Sequence, residues 1–156
     1  MRSWQIRTLA LVSALVTALV AGTGSAHAQR ETPAAAVRPA GSPAEVVEQF
    51  MQMATAKNYG QMGYVFGTRD GAILSREPQP QVERRMFAIA SILQNDRFVI
   101  RGQNSIPGRP EADAVQLTVQ VTQGGRSRDV PFVAVRSSHG NWLVEQIDLE
   151  KLTRSF

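Results

Sequence analysis

Hydrophobic positions recur along this chain with two different periods. Between Val46 and Leu93 they lie three or four residues apart, as on one face of an α-helix. From Phe98 onward they alternate with polar residues, as in half-buried β-strands. This change of period predicts helices first and a sheet afterwards. The sequence therefore indicates an α+β domain in which three N-terminal helices pack on a four-stranded antiparallel sheet.

Three segments carry the helical period. The motif Ser-Pro-Ala-Glu at residues 42–45 combines a capping serine, a proline suited to the first turn and a glutamate that can complete a capping box, so a first helix is predicted over Ser42–Lys57. Asn58 is a second capping residue for a short helix that ends near Gly67. A third helix is predicted over Pro80–Leu93. The segment before it offers at most one short strand, at Ala72–Ser75.

Four segments carry the strand period: Phe98–Ile100, Val115–Val121, Arg128–Arg136 and Trp142–Leu149. Gly124-Gly125 is a hairpin turn between the second and third of them. The third strand is apolar on both faces, which predicts a cover over part of the open sheet face. A second subunit would supply it, so homodimerisation is a hypothesis, and the C-terminal segment or no cover at all are the alternatives.

The first 28 residues have the pattern of a secretory signal peptide. Two arginines precede an uncharged apolar run over residues 9–20, and Ala26-His27-Ala28 is a small-residue cleavage motif. The run is short for a membrane span, which needs about 20 residues. We expect cleavage after Ala28, a secreted or periplasmic location, no membrane attachment after cleavage, and a disordered Ala/Pro linker over residues 29–41. One domain then occupies residues 42–156.

Composition excludes several classes of function. The formal charge of +4 falls to +2 once Arg2 and Arg7 leave with the leader, and the remaining cations are scattered rather than clustered. Nucleic-acid binders concentrate their charge in a patch, so nucleic acid is not an expected partner. The chain has no cysteine, which excludes a thiol nucleophile, a cysteine zinc site and a lipid-anchored cysteine. No His and acid cluster has metal-ligand spacing, so neither a metal nor a cofactor is expected.

The element order and three local features resemble the nuclear transport factor 2-like superfamily, whose cone-shaped α+β fold also occurs in ketosteroid isomerases and scytalone dehydratases. These features are the capped opening helix that runs into Asn58-Tyr59, the amphipathic third helix before the sheet, and the ending Gly140-Asn141-Trp142-Leu143-Val144. The resemblance covers residues 42–152 and implies a curved sheet wrapped around a cone. It does not choose a function, since the superfamily contains enzymes, binding modules and dimerisation domains.

The expected role is non-catalytic binding of a small apolar or weakly anionic molecule in the cone, or of a protein partner on the open sheet face. Positions on the predicted elements suggest five residues that line the cone: Tyr59, Tyr64, Phe66, Met86 and Phe132. Arg126 and Arg128 share one face of the third strand and are candidates for binding an anion.

Two alternatives remain open at this stage. A cofactor-free isomerase or dehydratase would use Asp70 with Tyr64, and it requires Asp70 to be buried beside that tyrosine. Asp70-Gly71 is also an ordinary turn sequence. A homodimerisation or assembly module would instead show a filled cone together with a large apolar open face.

Overall fold

The computed structural model describes residues 37–154, so the predicted leader and residues 29–36 of the predicted linker lie outside the described residues. The elements are α1 (Pro43–Thr55), α2 (Tyr59–Val65), β1 (Gly67–Thr68), β2 (Gly71–Ala72), α3 (Gln79–Ile92), β3 (Arg97–Ser105), β4 (Ala114–Gln123), β5 (Arg126–Arg136), β6 (Trp142–Ile147) and α4 (Glu150–Thr153). The predicted α+β class is confirmed. Over residues 37–154, no helix combines the length and hydropathy needed to cross a membrane.

Helix α1 begins as the capping motif predicts. The hydroxyl of Ser42 accepts a hydrogen bond from the backbone N–H of Glu45 at 3.2 Å, and Pro43 occupies the first turn. The carboxylate of Glu45 accepts from the N–H of Gly41 at 2.8 Å, one residue before the cap. The first bond satisfies a donor that a helix N-terminus otherwise leaves unpaired, whereas the second lies before the cap, so Glu45 does not close the predicted capping box on Ser42.

Strands β3 to β6 form an antiparallel meander in the order β3-β4-β5-β6. The register pairs Leu117 with Phe132 and Val119 with Val130, which places these apolar residues on the face that the helices cover. The opposite face carries the alternating polar residues of β4, from Gln116 to Thr122. The alternation in the sequence thus decides which face of the sheet is buried.

Apolar side chains fill the interior between the helices and the sheet. Phe50 of α1 is fully buried, with its ring centroid 5.9 Å from that of Phe66 and 6.5 Å from that of Phe132. Met62 of α2 and Met86 of α3 are fully buried in the same cluster. The core therefore occupies the place where the resemblance implies a cone that opens to a ligand.

The connection between α2 and α3 differs from the prediction. Gly67–Thr68 pairs with Gly71–Ala72 in a two-stranded hairpin, and the chain then forms a 3₁₀ turn over Ile73–Ser75. The predicted strand at Ala72–Ser75 is therefore wrong beyond Ala72. The hairpin escapes a search for alternating residues because each of its strands is only two residues long.

Both outer strands also differ from their predicted bounds. The first strand extends to Ser105, although its last residues are polar and exposed, because backbone bonds to β4 hold it as an edge strand. The last strand ends at Ile147 rather than Leu149. Its final segment turns into α4, whose Leu152 is buried against the core.

The chain itself covers the apolar residues on the open face of β5. Val135 packs with Ala114 and Leu143 in a small second cluster that Ile106 helps to cover. Pro131 and Val133 are half-buried beside the segment 146–150. The cover that the sequence requires is thus supplied within one chain, and homodimerisation stays a prediction.

Ordered contacts begin before the capping motif. The backbone of Ala40 forms a bridge with Trp142, the N–H of Trp142 donating to the carbonyl of Ala40 at 3.3 Å, and Ala40 is buried. Val37 packs against the same core. Residues 37–41, the end of the predicted linker, therefore belong to the folded domain.

Gly63 sets how closely α2 approaches its neighbours, and this generates a testable prediction. A Cβ atom at Gly63 would lie 2.6 Å from a methyl carbon of Val82 and 2.7 Å from Cγ of Leu74. We expect Gly63→Ala to lower the free energy of unfolding by about 1–3 kcal/mol, because overpacking outweighs the better helix propensity of alanine. Chemical denaturation measures this.

Gly60 in the first turn of the same helix is the matched control. Its added Cβ would lie 3.1 Å from a carboxylate oxygen of Glu83, the far end of a flexible side chain. Gly60→Ala should leave stability unchanged or raise it by about 0.5 kcal/mol. Equal losses in the two variants would show that close packing at Gly63 is not the cause.

Candidate functional site

A groove of about 580 Å³ opens at the end of the domain where the β4–β5 hairpin meets the C-terminal ends of α1 and α3. We call it the hairpin-end groove. Its walls come from four places in the chain: the α1–α2 connection, the last turn of α3, the α3–β3 connection and the hairpin. The lining residues are Ala54, Thr55, Lys57, Tyr59, Ala90, Ser91, Gln94, Asn95, Asp96, Gln123 and Gly124.

Hydrogen bonds fix the hairpin side of the groove. The side-chain amide of Gln123 donates to the carbonyls of Ile92 and Gln94 at 2.8 and 2.5 Å, which ties the end of β4 to the end of α3. The N–H of Gly124 donates to Oδ2 of Asp96 at 2.9 Å, and the N–H of Asp96 donates to the carbonyl of Thr122 at 2.8 Å. Side chains held in this way form a site before any ligand binds.

The opposite wall is built by the turn between α1 and α2. Lys57 has a φ of 58°, in the left-handed region, and its N–H donates to the carbonyl of Ala54 as α1 ends. Tyr59 follows and is half-buried, with its ring perpendicular to that of Phe87 at a centroid distance of 5.4 Å. Phe87 is 56% exposed on the outer side of α3. The edge-to-face contact holds the Tyr59 ring as an aromatic wall.

One positive and one negative side chain line the groove, and they do not pair. Within residues 37–154, neither Lys57 nor Asp96 forms an ion pair with any acid or base. The Oδ1 atom of Asp96 has no hydrogen-bond partner in the same part of the chain. The groove therefore offers two separate charges, several amide groups and one aromatic ring.

Of the five predicted cone residues, only Tyr59 lines this groove. Met86 and Phe132 are fully buried in the core, Phe66 is half-buried against Phe50, and Tyr64 is 57% exposed on the far side of α2. The prediction assumed an open interior that these side chains would line. The structure places Met86 and Phe132 within the core packing, and ligand binding by the five residues stays a prediction.

The proposed catalytic pair does not meet its own requirement. Asp70 lies in the turn of the β1–β2 hairpin with 82% of its side chain exposed, and its carboxylate is 3.9 Å from a guanidinium nitrogen of Arg76. Tyr64 borders the same shallow depression, of about 320 Å³, but is exposed as well. A solvated carboxylate lacks the burial that raises the basicity of a catalytic one. The isomerase or dehydratase hypothesis therefore loses its acid–base group.

The arginines of β5 have local partners or face solvent. The guanidinium of Arg128 donates to the carbonyl of Leu152 at 2.8 Å and lies within 3.5 Å of the carbonyls of Lys151 and Arg154. It thereby ties α4 along the part of β5 that extends past β6. Arg126 is exposed at the hairpin. The Nη1 group of Arg128 points at these backbone carbonyls, and anion binding by Arg126 and Arg128 stays a prediction.

Sequence reasoning missed most of the groove because its residues carry no local signal. Lys57, Asn95, Asp96 and Gln123 are polar residues at the ends of elements, as in any surface loop. A positively charged residue before the cap at Asn58, and an acid just before β3, are the only hints. Among the described residues, no three His, Asp or Glu side chains are grouped as metal ligands.

No protein-family model matches this chain, and no curated protein matches it. Two solved structures are similar. One is an NTF2-like protein of unknown function from Cytophaga hutchinsonii ATCC 33406, 12% identical with a TM-score of 0.41 over 76% of this chain and 100% of that one. The other comes from Catenulispora acidiphila, 16% identical with a TM-score of 0.34 over 71% and 92%.

Structures with such low sequence identities and TM-scores give no information about the groove or its ligand. The order of elements, with three helices ahead of the four-stranded meander, is nevertheless the one that the resemblance predicted from the sequence. The chain has an α+β fold of three helices followed by a four-stranded antiparallel meander, and its membership of the nuclear transport factor 2-like superfamily stays a prediction from the sequence.

Proposed function

We propose that this chain is a non-catalytic binding domain whose ligand is a small molecule held in the hairpin-end groove. The observation that carries this proposal is the groove itself, since its volume of about 580 Å³ lies within the usual range for small-molecule sites and its walls come from four separate parts of the chain. The bonds of Gln123 and Asp96 keep those walls in place.

Because the interior is filled, the proposed binding site is the hairpin-end groove at the end of the domain rather than the inside of the cone. Phe50, Met86 and Phe132 are fully buried, and opening a cavity between them would cost several kcal/mol per large side chain. The groove needs no such rearrangement. A ligand in the groove also contacts Tyr59, the one predicted cone residue that lines it.

The assembly alternative has one of its two expected features. The interior is filled, but the open sheet face carries the polar side chains of β4 from Gln116 to Thr122 rather than a large apolar surface. A face of that kind lacks the apolar core of an obligate interface. A protein partner is therefore the second outcome of the experiment below rather than the first expectation. Secretion and leader cleavage belong to the proposal as predictions from the sequence.

The first test is native mass spectrometry of the protein purified under non-denaturing conditions. We expect a mass excess that matches a bound small molecule. Ser91→Trp, which places an indole on the groove wall, should abolish the excess because the ring fills the space. Ala88→Trp is the matched control, since Ala88 is exposed on the same helix and does not line the groove.

Three results would speak against the groove. A ligand-free mass for the unmodified protein would contradict a small-molecule role and favour a protein partner. An excess that survives Ser91→Trp would place the ligand elsewhere. Loss of the excess in both tryptophan variants would point to damage to α3 rather than to blocking.

A second prediction tests whether Tyr59 contacts the ligand as a wall of the groove or serves only as the aromatic partner of Phe87. Tyr59→Ala and Phe87→Ala both remove the edge-to-face contact, which is worth about 1 kcal/mol, and Tyr59→Ala should lose more thermal stability because Tyr59 also packs against the core. Only Tyr59→Ala removes a groove wall. Native mass spectrometry should therefore show a smaller bound fraction for Tyr59→Ala than for Phe87→Ala, and equal fractions would exclude Tyr59 from the site.

A further inference from the structure

We propose that the hairpin-end groove selects a zwitterion, a small molecule that carries an ammonium and a carboxylate together with an apolar or aromatic group, as an amino acid does. This inference rests on the proposed function of the groove and names the chemical class of its ligand. It follows from the two unpaired charges and the aromatic wall.

The two charges of the groove have opposite signs and come from different connections. Lys57 belongs to the α1–α2 turn, and Asp96 to the α3–β3 connection. Their charged atoms do not come within 4.0 Å of each other, so they do not neutralise one another directly. Two separated charges of opposite sign are complementary to a ligand that also carries both.

The carboxylate of Asp96 assigns the ammonium to its side of the groove. The C-terminus of α3 carries partial negative charge, and no basic residue lies in its last turn. The N–H of Gly124 donates a hydrogen bond to Oδ2 of Asp96. Oδ1 can therefore accept a hydrogen bond from a ligand ammonium. An ammonium placed here faces both the carboxylate and the α3 carbonyl end.

The ligand carboxylate then lies toward Lys57. Among the described residues that line the groove, Lys57 is the only cation. Tyr59 stands two residues further on, so a ligand held by both charges can place its apolar part against the ring. Amide groups of Gln94 and Asn95 supply the remaining polar lining.

A purely anionic or purely apolar ligand fits this lining less well. An anion would gain from Lys57 but would face the carboxylate of Asp96, which repels negative charge. A neutral apolar ligand would leave both charges desolvated without a partner. The groove has a net formal charge of zero from these two side chains, which matches a zwitterion.

The test compares four probes that share one phenyl group: L-phenylalanine, phenethylamine, 3-phenylpropionate and 3-phenylpropanol. Binding to the purified protein is followed by NMR titration, with the amide of Gly124 and the ring of Tyr59 as reporters within the groove. We expect L-phenylalanine to bind about fivefold more tightly than either singly charged probe, because each exposed charge pair contributes up to about that factor.

Variants assign each preference to one side chain. Lys57→Gln should remove the preference for L-phenylalanine over phenethylamine, and Asp96→Asn, which keeps an oxygen for the Gly124 amide, should remove the preference over 3-phenylpropionate. Lys151→Gln is the matched control for the first variant, because Lys151 lies on α4 outside the groove. Asp129→Asn, at an exposed position of β5, is the matched control for Asp96→Asn.

The results separate this inference from the proposed function. If 3-phenylpropanol or one singly charged probe shifts the groove resonances as tightly as L-phenylalanine, the groove binds small molecules but the zwitterion inference is wrong. If no probe shifts these resonances, the zwitterion inference is also overturned. The native mass measurement then decides separately whether the groove holds any ligand.

Discussion

The packing of Phe50 against Phe66 and Phe132 joins the helical layer to the sheet, and the rest of the structure depends on it. Phe50 lies on α1, Phe66 at the end of α2 and Phe132 in the middle of β5. The ring centroid of Phe50 is 5.9 Å from that of Phe66 and 6.5 Å from that of Phe132. Burial of apolar area is the main favourable term in folding, and without cysteine the domain has no disulfide to add to it. The core must therefore be tightly packed.

A packed core decides where a ligand can bind. Once the interior is filled, a ligand must bind in concave surface outside it, as where the layers end and connections meet. The hairpin-end groove is such a place, because α1 and α3 stop short of the β4–β5 hairpin and Gln123 bridges the remaining gap to the α3 carbonyls. The same constraint explains why Met86 and Phe132 pack in the core and why Tyr59, at the edge of the helical layer, borders the groove.

Two arginines tie edges of the fold together. Arg128 ties α4 to β5 through backbone carbonyls, and Arg109 bonds Glu145 at 2.6 Å, which fastens the β3–β4 connection to β6. Side chains committed in this way are poor candidates for ligand recognition. Lys57 and Asp96 differ from them because neither has an ionic partner within the described residues, which is why the inferred ligand chemistry depends on them.

The sequence by itself determined the α+β class, the start of the first helix and the buried face of the sheet. Each of these follows from local chemistry: the cap at Ser42, the helical spacing from Val46 to Leu93, and the strict alternation along β4. Periodicity reports which side of an element is apolar, and one side of each element must be buried.

Only the tertiary structure decided whether the interior is open, what Arg128 binds and where the groove lies. Periodicity marks Phe132 as inward-facing but does not distinguish a residue that lines a cavity from one that fills it, because that depends on the volumes of side chains from other elements. Lys57 and Asp96 are 39 positions apart in the chain. The groove exists because the fold brings their two connections to one end of the sheet, and no local pattern encodes that distance.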